Sequence, residues 1–373
     1  MEKAKVYFTN MRATSKMNLL QKLENLVKKA GMTDIDFKEK YAAVKIHFGE
    51  PGNLAYLRPN YAKVIVDVIK AQGGKAFLTD CNTLYVGRRK DALEHMDAAY
   101  ENGFNPFATG CQIIIGDGLK GTDEAYVPVA GGEHVKEAKI GRAVMDADIF
   151  ISLTHFKGHE LTGFGGALKN IGMGCGSRAG KMEMHSDGKP RVREKSCVGC
   201  GACAKICAHS AITITAKKAS IDHAICVGCG RCIGTCHFNA IAAAWDESND
   251  VLNKKIAEYS WAVLNDRPHF HISLVVDVAP FCDCHAENDV PMLPDIGMLA
   301  SFDPVALDMA CVDLANQAPA LPDSHLAEQL AARKDSTEAD HFCTAHPETN
   351  WLSCVDHAEK LGLGTKKYEL IEV

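Results

Sequence analysis

The chain has 373 residues, a length that sets a prior of about two or three domains. Its 47% hydrophobic and 24% charged residues are those of a globular protein, which excludes a disordered or fibrous chain. A net charge of −6 argues against a general nucleic-acid binder, and no apolar run approaches the roughly 18 residues of a membrane-spanning helix.

The opening Met1-Glu2-Lys3-Ala4-Lys5 leads into a β-like Val6-Tyr7-Phe8, so no secretory leader is expected and the cytoplasm is the expected location. Met17–Ala30 predicts an amphipathic helix, with Leu19, Leu20, Leu23, Leu26 and Val27 on one face and Gly31 as its stop. Tyr41–Phe48 reads as a strand. Pro59 opens a helix with Val64, Ile65, Val68 and Ile69 on its apolar face, ended by Gly73-Gly74. Ala76–Thr79, Cys111–Ile115 and Ile149–Leu153 continue the strands. A helix is expected around Lys254–Leu264 and a strong strand at Ile272–Val278; beyond residue 305 an Ala-, Leu- and His-rich stretch predicts peripheral helices. Strands separated by helices predict an α/β domain with a mostly parallel sheet.

The series is interrupted by half of the chain's 16 cysteines. Cys197, Cys200, Cys203 and Cys207 form C-x2-C-x2-C-x3-C, and Cys226, Cys229, Cys232 and Cys236 repeat it 29 residues later, with nine identities in eighteen aligned positions. This is an internal duplication. The spacing is that of bacterial ferredoxins, where three thiolates hold one cubane and the fourth cysteine ligates the other cluster. Cys197, Cys200, Cys203 and Cys236 are therefore assigned to one [4Fe–4S] cluster, and Cys226, Cys229, Cys232 and Cys207 to a second. Zinc sites would show paired C-x2-C units with longer gaps. The proline that commonly follows the fourth cysteine is Ala208 in one run and His237 in the other, which leaves the ligands intact but bears on local rigidity. The expected organisation is a first α/β part at 1–190, an α+β ferredoxin-like insert at 191–245, and a second α/β part with peripheral helices at 246–373.

Residues 191–245 carry seven basic and two acidic side chains, +5, which leaves −11 for the rest. Such an insert on an acidic body fits an acidic electron carrier of ferredoxin or flavodoxin type. Alternatively, the basic side chains offset the negative charge of the clusters.

Ile151–Ser186 holds eight glycines in 36 residues, with His155, His159, His185, Cys175, Lys157, Lys169, Arg178 and Lys181. This predicts a loop that wraps a ligand with amides and cations, against the alternative of a glycine-rich crossover. It is no P-loop, and Gly163-Phe164-Gly165 lacks the third glycine of a dinucleotide fingerprint. Cys282-Asp283-Cys284-His285 follows a strand, where ligands concentrate in open α/β sheets. It reads as a redox dithiol, part of a third metal centre, or structural thiols. His47-Phe48-Gly49-Glu50 and Asp80-Cys81-Asn82-Thr83 end other strands, where Asp and Asn read first as turn residues. Candidate catalytic residues are Cys175, His159, Lys169, Cys282 and Cys284. Cofactor-binding candidates are His155, His185, Arg178, Asp80 and Asn82, with room for a third metal or cofactor near Cys175, Cys282 and Cys284. Cys175, Cys282 and at least one of the three histidines are expected in one pocket. Cys111, Cys311, Cys343 and Cys354 read as structural.

The stretches KIHFGEPGN, TDCNTLYVGRR, THFKGHELTGFGGALKNIGMGCGSRAGKMEMHS, FCDC and DIGMLASFDPVALDMACVDL resemble the bacterial and archaeal family called domain of unknown function 362, over most of residues 1–320. The resemblance implies a cytoplasmic iron–sulfur protein of a kind often found in anaerobes, since many members carry the same two-cluster insert. GFGGALK is also similar to a glycine–lysine segment of lactate-racemase-type proteins, which implies a substrate or cofactor beside Lys169; the nickel chemistry is not carried over. The expected function is an oxidoreductase that passes electrons through two clusters to a substrate or further metal or cofactor site. The alternatives are an electron carrier without its own catalysis and a metal- or cluster-binding protein. A carrier would need only residues 191–245, which leaves the ligand-rich segments elsewhere unexplained.

Overall fold

Alternation of side chains along the strands builds two cores, one on each face of a single sheet. The computed structural model describes residues 3–85, 87–186, 188–333 and 340–373. The strands are β1 (Ala4–Asn10), β2 (Tyr41–Lys45), β3 (Lys75–Asp80), β4 (Ile113–Ile115), β5 (Ile149–His155), β6 (His269–Val275), β7 (Gly297–Ser301) and β8 (Tyr368–Glu372). Their spatial order is β8-β1-β7-β6-β5-β2-β3-β4. Neighbours are parallel throughout except β7, which runs antiparallel to both β6 and β1. The central strand β5 is buried at every residue; Ile149, Ile151 and Leu153 enter one core and Phe150 the other. Such two-sided burial is expected of a parallel strand covered by helices on both faces.

Helices α1 (Leu19–Lys29) and α2 (Pro59–Ala71) supply Leu23, Leu26, Val27, Ile65 and Ile69 to the first core. The second face is covered by α3 (Ala167–Cys175), α5 (Asn249–Leu264), α6 (Pro304–Gln317) and α7 (Leu352–Lys360), with the short α4 (Arg178–His185) following α3. Two expectations are corrected here. Ile151–Ser186 is no single wrapping loop: a short hairpin, Lys157–His159 with Gly163–Gly165, leads into α3 and α4. Glycine there serves contact, since a β-carbon at Gly172 would fall 2.2 Å from the Ile256 carbonyl of α5. Nor is the chain beyond residue 305 all peripheral. Val305, Ala306, Leu307, Ala310, Cys311, Val312 and Ala315 of α6 are fully buried, and β8 pairs with β1.

Between α4 and α5 the chain folds around a small core of its own, formed by Cys203, Ile212, Ala219, Cys232 and Ile241. Pro190–Val192 pairs with Ile241–Ala243, and Ile212–Thr215 with Lys218–Ile221. The sequence duplication is mirrored in the backbone. Short helices Ala202–Ile206 and Arg231–Thr235 occupy equivalent places, and Ser210 and Asn239 share a left-handed φ of 53° and 51°. The Cys207 sulfur accepts from the Ala211 amide at 3.3 Å, and the Cys236 sulfur from Ala240 at 3.2 Å.

Candidate functional site

The chain runs from β2 to β3 and β4 towards one edge of the sheet, and from β5 to β6 towards the other. The adjacent strands β2 and β5 therefore bracket a topological switch point, the place where open α/β sheets leave a crevice at their carboxyl ends. A cavity of about 690 Å³ lies there, within the usual size for a small-molecule site. Lys45 and His47 come to it from the end of β2, Asp80 from β3, Lys157, His159 and Glu160 from the hairpin after β5, and Cys282, Cys284 and His285 from the segment after β6.

A buried ion network forms one wall. Lys45 Nζ meets Asp80 Oδ1 at 3.0 Å, and Arg89 Nε meets Glu50 Oε2 at 2.9 Å. Burial opposes ionisation of Asp80, but the surrounding cations, Lys45 foremost, outweigh it and hold the carboxyl below its usual range. His47 is kept neutral by burial and by Arg89; its Nδ1 accepts from the Gly49 amide at 3.0 Å, which leaves the ring proton on Nε2.

The thiols lie next to this network, the Glu50 amide donating to the Asp283 carbonyl at 3.0 Å. A turn closed by the His285 amide on the Cys282 carbonyl at 3.0 Å brings Cys282, Cys284 and His285 together. Lys169 Nζ lies 3.4 Å from Cys282 Sγ. His159 Nδ1 accepts from the Leu161 and Thr162 amides at 3.1 and 3.2 Å, so its other nitrogen is free to donate to Cys282. Cys284 beside it, with Lys169 and His159, holds the acidity of Cys282 well above that of a free thiol despite burial, and the nearness of Cys282 pushes Cys284 the other way. Glu160, Cys284 and His285 also offer one ligand atom each within 4.8 Å of one another. With the chain's 16 cysteines, this group suggests metal binding.

Of the residues singled out in the sequence, His159, Lys169, His185, Cys282, Cys284 and Asp80 line the cavity. Burial pushes His185 down to about 3, with Lys169 and His159 adding to the effect, and its ring lies 4.5 Å from that of Trp245, tilted by 57°. Four others lie off the lining and are corrections. Cys175 is fully buried at the end of α3, its carbonyl accepting from Cys81 Sγ at 3.4 Å, and burial pushes its thiol up to about 11. His155 braces the thiol turn from behind, Nδ1 against Asp283 at 2.9 Å and Nε2 against the Val276 carbonyl at 2.8 Å. Asn82 is spent on Asp117, at 2.8 Å, and Arg178 lies beneath the small unit, next to Gly230 and Gly234. Sequence reasoning missed Arg89 and Glu160, although both stand inside conspicuous motifs. Trp245 carried no signal, since it enters from the far end of the cysteine-rich segment.

A second, smaller cavity is lined by Cys197, Cys200 and Cys203 of the first repeat and by Cys236 of the second. Cys200 is exposed, and a β-carbon at Gly201 would meet no atom within 4 Å. The equivalent loop of the second repeat faces the α/β body: a β-carbon at Gly230 would fall 2.8 Å from Arg178 Cγ. Ile233 packs there with Leu84, Met182 and Ala243, and Leu84 also lines the large cavity.

The fold is an α/β domain with a largely parallel sheet, carrying a thiol-bearing cavity with several charged side chains at its switch point. The family described as Domain of unknown function (DUF362) matches residues 42–313, and the chain belongs to that family. Among curated proteins none matches its sequence. It is similar to the crystal structure of a Thermotoga maritima protein, with 14% identity and a TM-score of 0.45 over 82% of this chain and 60% of that one. It is also similar to the lactate racemase apoprotein from Thermoanaerobacterium thermosaccharolyticum, with 12% identity and a TM-score of 0.38 over 74% of this chain and 51% of that one. The match thus spans less than two thirds of either structure. Among the described residues, no helix is long and apolar enough to cross a membrane.

Proposed function

We propose that this protein is an iron–sulfur oxidoreductase: residues 191–245 form a ferredoxin-like insert with two [4Fe–4S] clusters, and the cavity at the switch point takes the substrate. The observation that carries the reading is the lining of the smaller cavity. Three thiols of one repeat meet the fourth thiol of the other, the crossed set that two-cluster ferredoxins use. The donor chemistry fits as well, since amides already point at sulfur: Ala219 N lies 3.3 Å from Cys197 Sγ, besides the two equivalent bonds to Cys207 and Cys236. Clusters bound there would supply one-electron transfer.

The remaining roles belong to the chain's own side chains. Lys157, Lys169 and Lys181 line the cavity and favour an anionic substrate. His159 offers a ring proton beside Cys282, a donor for a substrate that gains electrons. Leu84, Met173 and Trp245 add apolar surface to the lining. The exposed first-repeat loop is the side for electron entry, and the second-repeat loop, packed on the cavity wall through Ile233 and Leu84, is the side for exit.

Anaerobically prepared protein should hold about eight irons per chain. Low-temperature EPR of the reduced Cys236→Ala variant should lose the signal of the cluster held by Cys197, Cys200 and Cys203 and keep the other. Zinc in place of iron, or loss of the other signal, would overturn the reading.

A further inference from the structure

We infer that Glu160, Cys284 and His285 form a mononuclear site for a borderline divalent cation, zinc or ferrous iron, opening onto the cavity and separate from the cysteines of 191–245. This goes beyond the electron-transfer reading and stands without it. Tetrahedral ligands at about 2.0 to 2.3 Å from zinc are roughly 3.3 to 3.8 Å apart. The three donor atoms already lie within 4.8 Å of one another, so small side-chain rotations close the set.

Two loops from distant parts of the chain are braced to bring these donors together. Glu160 stands at the tip of the hairpin after β5, and Cys284 and His285 belong to the turn after β6. The hairpin lies directly on the second segment: Gly158 N donates to the Ala279 carbonyl at 2.9 Å, and a β-carbon at Gly158 would fall 2.4 Å from the Pro280 carbonyl oxygen. Asp283, between the two cysteines, binds His155 at the end of β5 and Lys157 of the hairpin, at 2.9 and 3.4 Å. One buried carboxylate thus ties both ligand-bearing loops to the sheet, the kind of outer support that metal ligands need.

A second, independent observation points to a cation. Glu160 Oε1 meets His285 Nε2 at 2.9 Å, but Oε2 is buried and has no hydrogen-bond partner among the described residues. An orphaned carboxylate oxygen is costly, and a metal ion satisfies it. On binding, Cys284 releases its thiol proton, and the thiolate and the carboxylate together balance the two charges of such an ion. Mixed sulfur, nitrogen and oxygen donors suit zinc or ferrous iron and select against magnesium and calcium, which take oxygen ligands. Three protein ligands leave one position vacant, the mark of a catalytic rather than a structural metal. That position opens onto a cavity also lined by Lys157 and Lys169, which suits a substrate carboxylate oxygen.

The test is equilibrium dialysis of reduced, iron-loaded protein against buffered zinc, with iron and zinc both measured. One zinc should bind over and above the iron. Glu160→Gln and His285→Ala alter half-exposed side chains and should each weaken zinc binding by at least about tenfold, with iron content and circular dichroism unchanged. Cys236→Ala should lose iron yet keep the zinc, which separates this site from the clusters. Zinc uptake unchanged in both ligand variants, or uptake only where iron is lost, would overturn the assignment.

Discussion

Asp308 sits where a side chain on Gly166 would otherwise stand, a β-carbon there falling 2.3 Å from its Oδ1. From α6 it accepts the first free amides of α3, Ala167 at 2.6 Å and Leu168 at 3.0 Å, and so caps a helix remote in sequence. Burial pushes its carboxyl up to about 7 from 3.8, although the two amides pull it back. The folded state then binds more protons than the unfolded one between those values, so this group's contribution falls as pH rises through the window. The loss is at most about 1.4 kcal/mol per pH unit. Replacing Asp308 by Asn should make the fall in melting temperature between pH 5 and 7 shallower, as followed by thermal unfolding; an unchanged slope would show that Asp308 is ionised in the folded protein. Nothing local in the sequence marks Asp308 as a cap, because the amides it serves belong to a helix whose position only packing sets.

The helix it caps shows how an element can be misread. Across α3, Lys169, Asn170, Met173 and Gly174 line the cavity, while Leu168, Ile171 and Cys175 enter the core. That is ordinary helical phase: six residues past Lys169, Cys175 points about 240° round the axis. Glycine made the segment read as a loop, yet Gly172 lets α3 lie close against α5. By helix propensity alone, Gly172→Ala should stabilise by about 1 kcal/mol. The added carbon would instead stand 2.2 Å from the Ile256 carbonyl and 2.8 Å from Ser260 Oγ. Overpacking of this kind costs about 1 to 3 kcal/mol, so a lower melting temperature is expected. A gain would mean that the two helices have room to part.

For the whole molecule, charge and orientation act together. Lys195, Lys205, Lys217 and Lys218 are exposed in the small unit, whereas Gly228 and Gly230 of the second repeat are buried. Two oxidised clusters, at −2 each, would reduce the +5 on 191–245 to about +1 against −11 elsewhere, so the proposed acidic carrier would meet least repulsion at the lysine-bearing, exposed first-repeat face. Reduction of the holoprotein by an acidic ferredoxin or flavodoxin should therefore slow as ionic strength rises, and Lys205→Glu with Lys217→Glu should slow it at low salt without changing iron content. Stopped-flow absorbance would measure it; a rate indifferent to salt and to both substitutions would assign these lysines only to offsetting cluster charge.

Contiguous spacing was enough to reveal the duplicated cysteine runs, the positions of most strands and the ends of α2, because each depends on neighbours within a few residues. The candidates at strand ends, His47, Asp80 and Cys282, were legible for the same reason: a parallel sheet delivers the carboxyl ends of its strands to one rim. Which of them meet depended on longer-range facts. The order of strands placed β2 beside β5 and so set the switch point. Helical phase turned Cys175 inward, and the docking of the hairpin on the segment after β6 carried Glu160 to His285, 125 residues away in sequence. Trp245 and Arg89 reached the cavity through packing between segments that share no local pattern. Contacts of that range follow from how whole elements bury their surfaces against one another, which the spacing of residues within one element does not encode.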